Sequence, residues 1–310
     1  MCDEVVIEEE IDREFPKIIE KMFEQLQNMV KNEKLSEMSK SSDLTELWDC
    51  KHKSLLHVAV KYRGYDVVSW LLDSNGFGSA LVRETFHDVI HTIILSISMF
   101  ENMNDDQFEE KCSVLQLILL IRPELVNTRD SFQRTPLHVA VAWQFKNSRQ
   151  LQLIHILLQN NADVNAVDHV RKTPLHKAVE RIPFNNDFIH ILKIFVSHNA
   201  DLLAVDQLRR GFIHLAASNA TPHIFHQIIH YLEFIKRTDC FGTVDLYGAS
   251  LLHYAVKHID LRYKTILVFK KYNVNFHARD DYGKSVLNTA IQYQKSLLLI
   301  QLFRRCGYQM

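Results

Sequence analysis

Two hexapeptides, Thr135-Pro136-Leu137-His138-Val139-Ala140 and Thr173-Pro174-Leu175-His176-Lys177-Ala178, stand 38 residues apart and agree at Thr, Pro, Leu, His and Ala. Internal repetition constrains a chain more than any composition does, because a unit of this length cannot bury its apolar face alone and must stack on its neighbours. Each hexapeptide also reads as a helix start. Thr suits the N-cap, Pro the first helical position, and Leu and Ala a close-packed inner face. The His is expected to tie the turn through hydrogen bonds.

Looser copies keep the frame. They are Ser54-Leu55-Leu56-His57-Val58-Ala59, Asp88-Val89-Ile90-His91, Gly211-Phe212-Ile213-His214-Leu215-Ala216 and Ser250-Leu251-Leu252-His253-Tyr254-Ala255, and Ser285-Val286-Leu287-Asn288-Thr289-Ala290 has Asn for His. An aspartate opens the later units at Asp130, Asp168, Asp206, Asp245 and Asp280. Before them stand the related turns Leu125-Val126-Asn127, Ala162-Asp163-Val164-Asn165, Ala200-Asp201 and Val274-Asn275. With the T-P-L-H-x-A and A-D-V-N signatures in one register, the chain resembles the ankyrin-repeat family. The resemblance implies an all-α solenoid of about seven helix-turn-helix repeats, near 47–78, 79–129, 130–167, 168–205, 206–244, 245–279 and 280–310. The motif spacings of 34, 47, 38, 38, 39 and 35 residues all exceed the usual repeat of about 33, so insertions are expected.

The largest insertion falls in the second unit, where the acidic stretch 101–111 is expected to project as a loop between an inner helix Val89–Phe100 and an outer helix Ser113–Ile121. Smaller ones are expected near Phe145–Gln150 and Ile182–Asp187. On one side of a solenoid they would form a second binding ridge or simply be tolerated loop growth. At the N-terminus, residues 16–31 carry Ile18, Ile19, Met22, Phe23, Leu26, Met29 and Val30 on one stripe of an amphipathic helix. It would cap the first repeat or bind a partner. Residues 35–45 read as a linker, Leu297–Phe303 as a buried C-terminal face, and no effector domain is expected after it.

The cysteines Cys2, Cys50, Cys112, Cys240 and Cys306 are scattered and odd in number, which points to reduced thiols and a cytoplasmic or nuclear setting. From the acidic start Met1-Cys2-Asp3-Glu4 no secretory leader is expected, and with no run of about 20 apolar residues no membrane partner is expected either. Residues 1–46 hold 13 acidic and 6 basic side chains, against 24 acidic and 30 basic in residues 47–310. With a pI near 7.0 the body falls short of a nucleic-acid footprint.

No catalytic site is expected. Gly283-Lys284-Ser285 ends like a phosphate loop, but Ala278 occupies the place of its first Gly, and Gly76-Phe77-Gly78 is followed by Leu81 where a dinucleotide fingerprint needs Gly. No G-x-S-x-G elbow occurs. Six of the 17 histidines belong to the repeat motif. His223, His226 and His230 share one helical face but lack an orienting carboxylate or Cys in sequence, so neither a metal nor a cofactor is expected.

Ankyrin-type proteins bind through turn tips and exposed inner-helix positions. By register the resemblance assigns these to Lys51, Lys53 and Tyr62, to Phe132, Arg134 and Trp143, to His169, Lys172 and Arg181, and to Leu208 and Arg210. Tyr247, Lys257 and His258, then Tyr282, Lys284 and Tyr293, complete the set. Such a basic and aromatic groove is expected either to take an acidic protein segment with apolar anchors or to be an ordinary solvated surface. The acidic tail around Glu8-Glu9-Glu10 would be an internal competitor. The expected function is a non-enzymatic adaptor or inhibitor. The layout is similar to that of inhibitors of Rel-type transcription factors, although their D-S-G-x-x-S signal is absent. A ubiquitin-ligase substrate receptor is the other class, and no cullin-adaptor box is recognisable.

Overall fold

The computed structural model describes residues 57, 60, 65–72, 88–99, 103–142, 149–181, 188–258 and 263–293. The N-terminal helix expected at 16–31, the linker at 35–45, the C-terminal face at 297–303 and the insertion segments 143–148 and 182–187 lie outside them. The chain divides into two compact units, residues 1–125 and 126–310.

In the first unit, α1 (Tyr65–Leu72) and α2 (Val89–Met99) both pack against α3 (Asp105–Ile121). From Asp105 onward the acidic stretch expected to project as a loop is instead the first turns of α3. Asn104 is the N-cap and accepts the Gln107 backbone N–H at 2.8 Å, while the Gln107 side chain accepts the Asn104 N–H at 3.1 Å. This reciprocal cap, with Asp105 and Asp106 at the positive helix end, starts the helix where charge alone suggested a loop. Phe108, Lys111, Cys112, Leu115, Ile118 and Leu119 then form its buried stripe. The adjacent pair Glu110 and Lys111 grips the first repeat: Glu110 Oε1 accepts the Tyr65 N–H at 3.2 Å, and Lys111 Nζ donates to the Val60 carbonyl. Burial pulls the Lys111 ammonium down to about 8, opposed by Glu110.

The second unit alternates short inner and longer outer helices. The inner row is α4 (Pro136–Ala142), α6 (Pro174–Glu180), α8 (Phe212–Asn219), α10 (Leu251–His258) and α12 (Val286–Gln292), each packed on the next. The outer row is α5 (Arg149–Gln159), α7 (Phe188–Ser197), α9 (Pro222–Phe234) and α11 (Tyr263–Lys271). Inner helices of two turns are unstable in isolation, so packing holds them: Leu137, Ala140, Leu175, Ala178, Ile213, Ala216, Leu252, Ala255, Leu287 and Ala290 are all buried. Phe188, Phe195, Phe225 and Phe269 fill the layer between the rows. Gln150, expected in a loop, sits in α5 and closes α4 by donating to the carbonyls of Ala140 and Val141 at 3.1 and 3.2 Å.

The outer helices end alike. After α5, Ala162 donates to Leu157 O at 3.0 Å and Asn161, at φ 64°, donates to Leu158 O at 3.1 Å. Asn199, Lys236 and Asn273 repeat this left-handed ending after α7, α9 and α11, with paired bonds of the same kind. Among the described residues extended pairing is limited to single bridges, Val205 with Gly211, Val244 with Ser250 and Arg279 with Ser285. These close the bases of the turns that join one helix pair to the next.

Candidate functional site

Each of those turns is built by its aspartate. Asp130 Oδ1 accepts the backbone N–H groups of Phe132 and Arg134, both at 2.9 Å. Asp168, Asp206, Asp245 and Asp280 do the same two and four residues on. One short acceptor thus satisfies two donors and folds the chain into a tip. The residue three past the Asp has positive φ throughout: Gln133 (58°), Arg171 (60°), Arg209 (56°), Gly248 (71°) and Gly283 (72°).

Successive tips are joined by backbone. His169 donates to Phe132 O at 3.1 Å, Gln207 to Val170 O at 3.0 Å, Leu246 to Leu208 O at 2.8 Å and Asp281 to Tyr247 O at 2.9 Å. The motif histidines form a second link. His138 Nδ1 accepts the Thr135 N–H at 3.1 Å, so the ring proton sits on Nε2 and is donated to Lys172 O, 2.9 Å away in the next repeat. His176, His214 and His253 likewise reach the carbonyls of Arg210, Thr243 and Lys284. A third link uses the turn asparagines. Asn127 donates to Asn161 O at 3.1 Å and accepts the Asp163 N–H at 2.8 Å, and Asn165 makes the same pair with Asn199 and Asp201.

On this scaffold, apolar and aromatic side chains line the tips. Phe132 is 54% exposed, Leu208 36%, Tyr247 45% and Tyr282 80%, and His169 is also exposed. The Phe132 and His169 rings lie 5.7 Å apart, and Tyr247 stacks on Tyr282 at 6.4 Å. Leu246, Val244, Leu203 and Val167 extend the exposed apolar surface along the same turns. The sequence reading missed those four because their place in the turn, rather than their residue type, exposes them.

The basic residues assigned to the groove are largely neutralised from within. Arg134 pairs with Asp130 at 2.7 Å and lies over the Phe132 ring at 5.0 Å. Arg210 pairs with Asp206 at 2.7 Å. Burial would raise the Asp206 carboxyl, but Arg210 and the turn N–H groups outweigh it and hold the group below its ordinary value. Lys172 pairs with Glu180, and Lys177 lies 3.4 Å from Asp168 and 3.5 Å from Glu180. Tyr254 donates to Asp245 Oδ2 at 2.7 Å, and burial together with that carboxylate raises its phenol. The basic character expected of the groove is thus offset at Arg134, Lys172 and Arg210 by carboxylates of their own repeats. An aspartate required by the turn stands four residues before Arg134, Lys172 and Arg210, and the acceptors nearest their cationic heads are carboxylates. Lys257 lies 5.4 Å over Tyr293, Lys284 lies over the same ring at 5.9 Å and donates to Gln292, and Arg181 is exposed. Trp143, Lys51, Lys53 and Tyr62 lie outside the described residues, as does the side chain of His258.

On the outer surface His226 and His230 contact edge to face at 4.3 Å. His226 Nδ1 is 3.0 Å from Thr265 Oγ1 and His230 Nδ1 is 3.4 Å from Glu233, so the carboxylate not credited in sequence is Glu233. That carboxylate is engaged by Lys271 at 2.7 Å. Among the described residues no group of His, Cys, Asp or Glu is arranged to hold a metal ion, and none of the helices is long and apolar enough to cross a membrane. Cys112 and Cys240 are buried, and burial first, then Asp239, pushes the Cys240 thiol up to about 12.

No curated protein matches the chain. Residues 107–206 match the family model for ankyrin repeats, in three copies. This segment contains most of α3, both T-P-L-H-x-A hexapeptides and the first two of the aspartate turns, and ends at the aspartate of the third. The histidine and aspartate bonds of these repeats recur beyond it, and residues 107–206 are ankyrin repeats, which indicate a protein–protein interaction domain.

Proposed function

We propose that this protein is a non-enzymatic adaptor or inhibitor, acting in the cytosol or nucleus, that holds another protein against its turn tips. The observation that carries the reading is the row of exposed Phe132, Leu208, Tyr247 and Tyr282 on a backbone ladder. Large apolar side chains exposed side by side at fixed spacing are what a partner's anchors use. Rigid tips also lose little conformational freedom on docking, which favours affinity. The partner on this reading presents an acidic segment with apolar anchors, since basic residues exceed acidic ones in residues 47–310.

The test is affinity purification with mass spectrometry, comparing wild type with the combined Phe132→Ser, Tyr247→Ser and Tyr282→Ser variant. The triple change is expected to strip the specific partners while leaving helix content and melting temperature close to wild type, because these side chains are exposed. An undiminished partner list would overturn the tip surface. Rel-type factors among the partners would favour the inhibitor role, and cullins the ligase-receptor role.

A further inference from the structure

The left-handed turn position separates the repeats into two groups. In the last two described turns it is Gly248 and Gly283, while in the three before them it is Gln133, Arg171 and Arg209. Glycine adopts positive φ without steric cost, whereas a side chain there crowds its own backbone. Nothing in the hydrogen bonding separates the two groups of turns, since all use the same aspartate bonds. The three side chains are therefore not needed to build the tip. All three are exposed. Among the described residues no carboxylate is within ion-pair distance of Arg171 or Arg209, whereas Arg134, Lys172 and Arg210 beside them are all paired. The bond from Gln207 N–H to Val170 O sets these two turns side by side, so Arg171 and Arg209 occupy equivalent places on adjacent tips. Leu208 and Phe132 stand exposed on the same row.

We infer that Arg171 and Arg209 are the specificity-determining cations of the tip surface, engaging carboxylates of an acidic, apolar-studded segment of the partner protein. This rests on the interaction reading above and moves its charge selection from the paired residues to the unpaired ones. A guanidinium with no internal partner gives up no ion pair when a carboxylate arrives, and its planar fork takes that carboxylate in bidentate fashion. Neighbouring apolar groups favour a polypeptide over a nucleic-acid backbone, which would present phosphates without aliphatic anchors.

Fluorescence anisotropy on the full chain tests this with a labelled peptide alternating Glu and Leu, a Lys and Leu counterpart and a single-stranded oligonucleotide. The acidic peptide is expected to bind, and Arg171→Gln with Arg209→Gln to weaken it about tenfold or more. Lys271→Gln, which removes a cation on an outer helix already paired with Glu233, is expected to change affinity by less than about twofold. Arg171→Gly with Arg209→Gly is expected to raise the melting temperature and still lose the peptide. Equal binding by the double Gln variant, a preference for the Lys peptide, or binding of the oligonucleotide in place of the acidic peptide would each overturn the inference. If the peptide result fails while the Phe132, Tyr247 and Tyr282 variant still loses its partners, the tip surface stands and only the acidic selection falls.

Discussion

The imidazole of His138 spans two repeats, accepting the N-cap N–H of its own helix at Thr135 and donating to the carbonyl of Lys172, 2.9 Å away in the next. Both bonds require the neutral ring with its proton on Nε2. Burial is the main reason His138 and His214 are pulled down to about 4, against smaller raising effects from the carbonyl and nearby aspartates, and His176 and His253 shift the same way.

Acid should therefore loosen the repeats before carboxylates titrate. In the unfolded chain a histidine takes up its proton near pH 6.5, but in the fold His138 and His214 do so only near 4, so between these values the unfolded state binds more protons. Stability is complete above about pH 6.5 and is lost as pH falls through that window, by roughly 3 kcal/mol for each of His138 and His214 once pH is below 4. Urea unfolding at pH 7.5, 5.5 and 4.5 measures the slope. A His214→Gln variant should show a shallower one.

Backbone strain predicts a stability pattern opposite to the usual effect of glycine. Gln133→Gly, Arg171→Gly and Arg209→Gly should each stabilise by about 0.5–1 kcal/mol, the relief of a left-handed side chain less the entropy of a freer unfolded chain. Lys236→Gly, at the end of α9 with φ 57°, should behave alike. Thermal melts of the single variants decide this, and a fall in melting temperature would contradict it.

The two tip glycines should differ from each other. A Cβ at Gly283 meets nothing within 4 Å, so Gly283→Ala carries only the φ penalty of about 1 kcal/mol. At Gly248 a Cβ would lie 2.6 Å from Asp281 Oδ1 and 3.2 Å from the Asp281 nitrogen, whose N–H donates to Tyr247 O. Gly248→Ala should cost about 2 kcal/mol or more, since the contact sits on the link between tips. Denaturant midpoints of the two variants give the comparison.

Asn165→Ala removes two bonds at once, to Asn199 O and from the Asp201 N–H. Because these groups are exposed and water can replace the amide, the cost should be about 1–2 kcal/mol rather than that of a buried pair. Hydrogen exchange should quicken at Asp201 while Leu175 and Val179, in the inner helix, keep their protection.

The register of repeats was open to sequence reading because it rests on local chemistry that does not depend on distant contacts. Asp130, Asp168, Asp206, Asp245 and Asp280 each bond their own turn, and Thr173 caps its own helix. The start of α3 was equally local, marked by Asn104 and Gln107 three residues apart, yet the acidic residues between them obscured it. Where His138 sends its second nitrogen was not open in this way, because only stacked repeats bring it to the Lys172 carbonyl. The same holds for the exposure of Leu246, Val244, Leu203 and Val167. Residue type and spacing decide which turns and helices form and set Asp130 and Asp206 four residues before Arg134 and Arg210; which polar atoms join one repeat to the next, and which apolar side chains remain facing outward, is decided by distances that exist only once the repeats have packed.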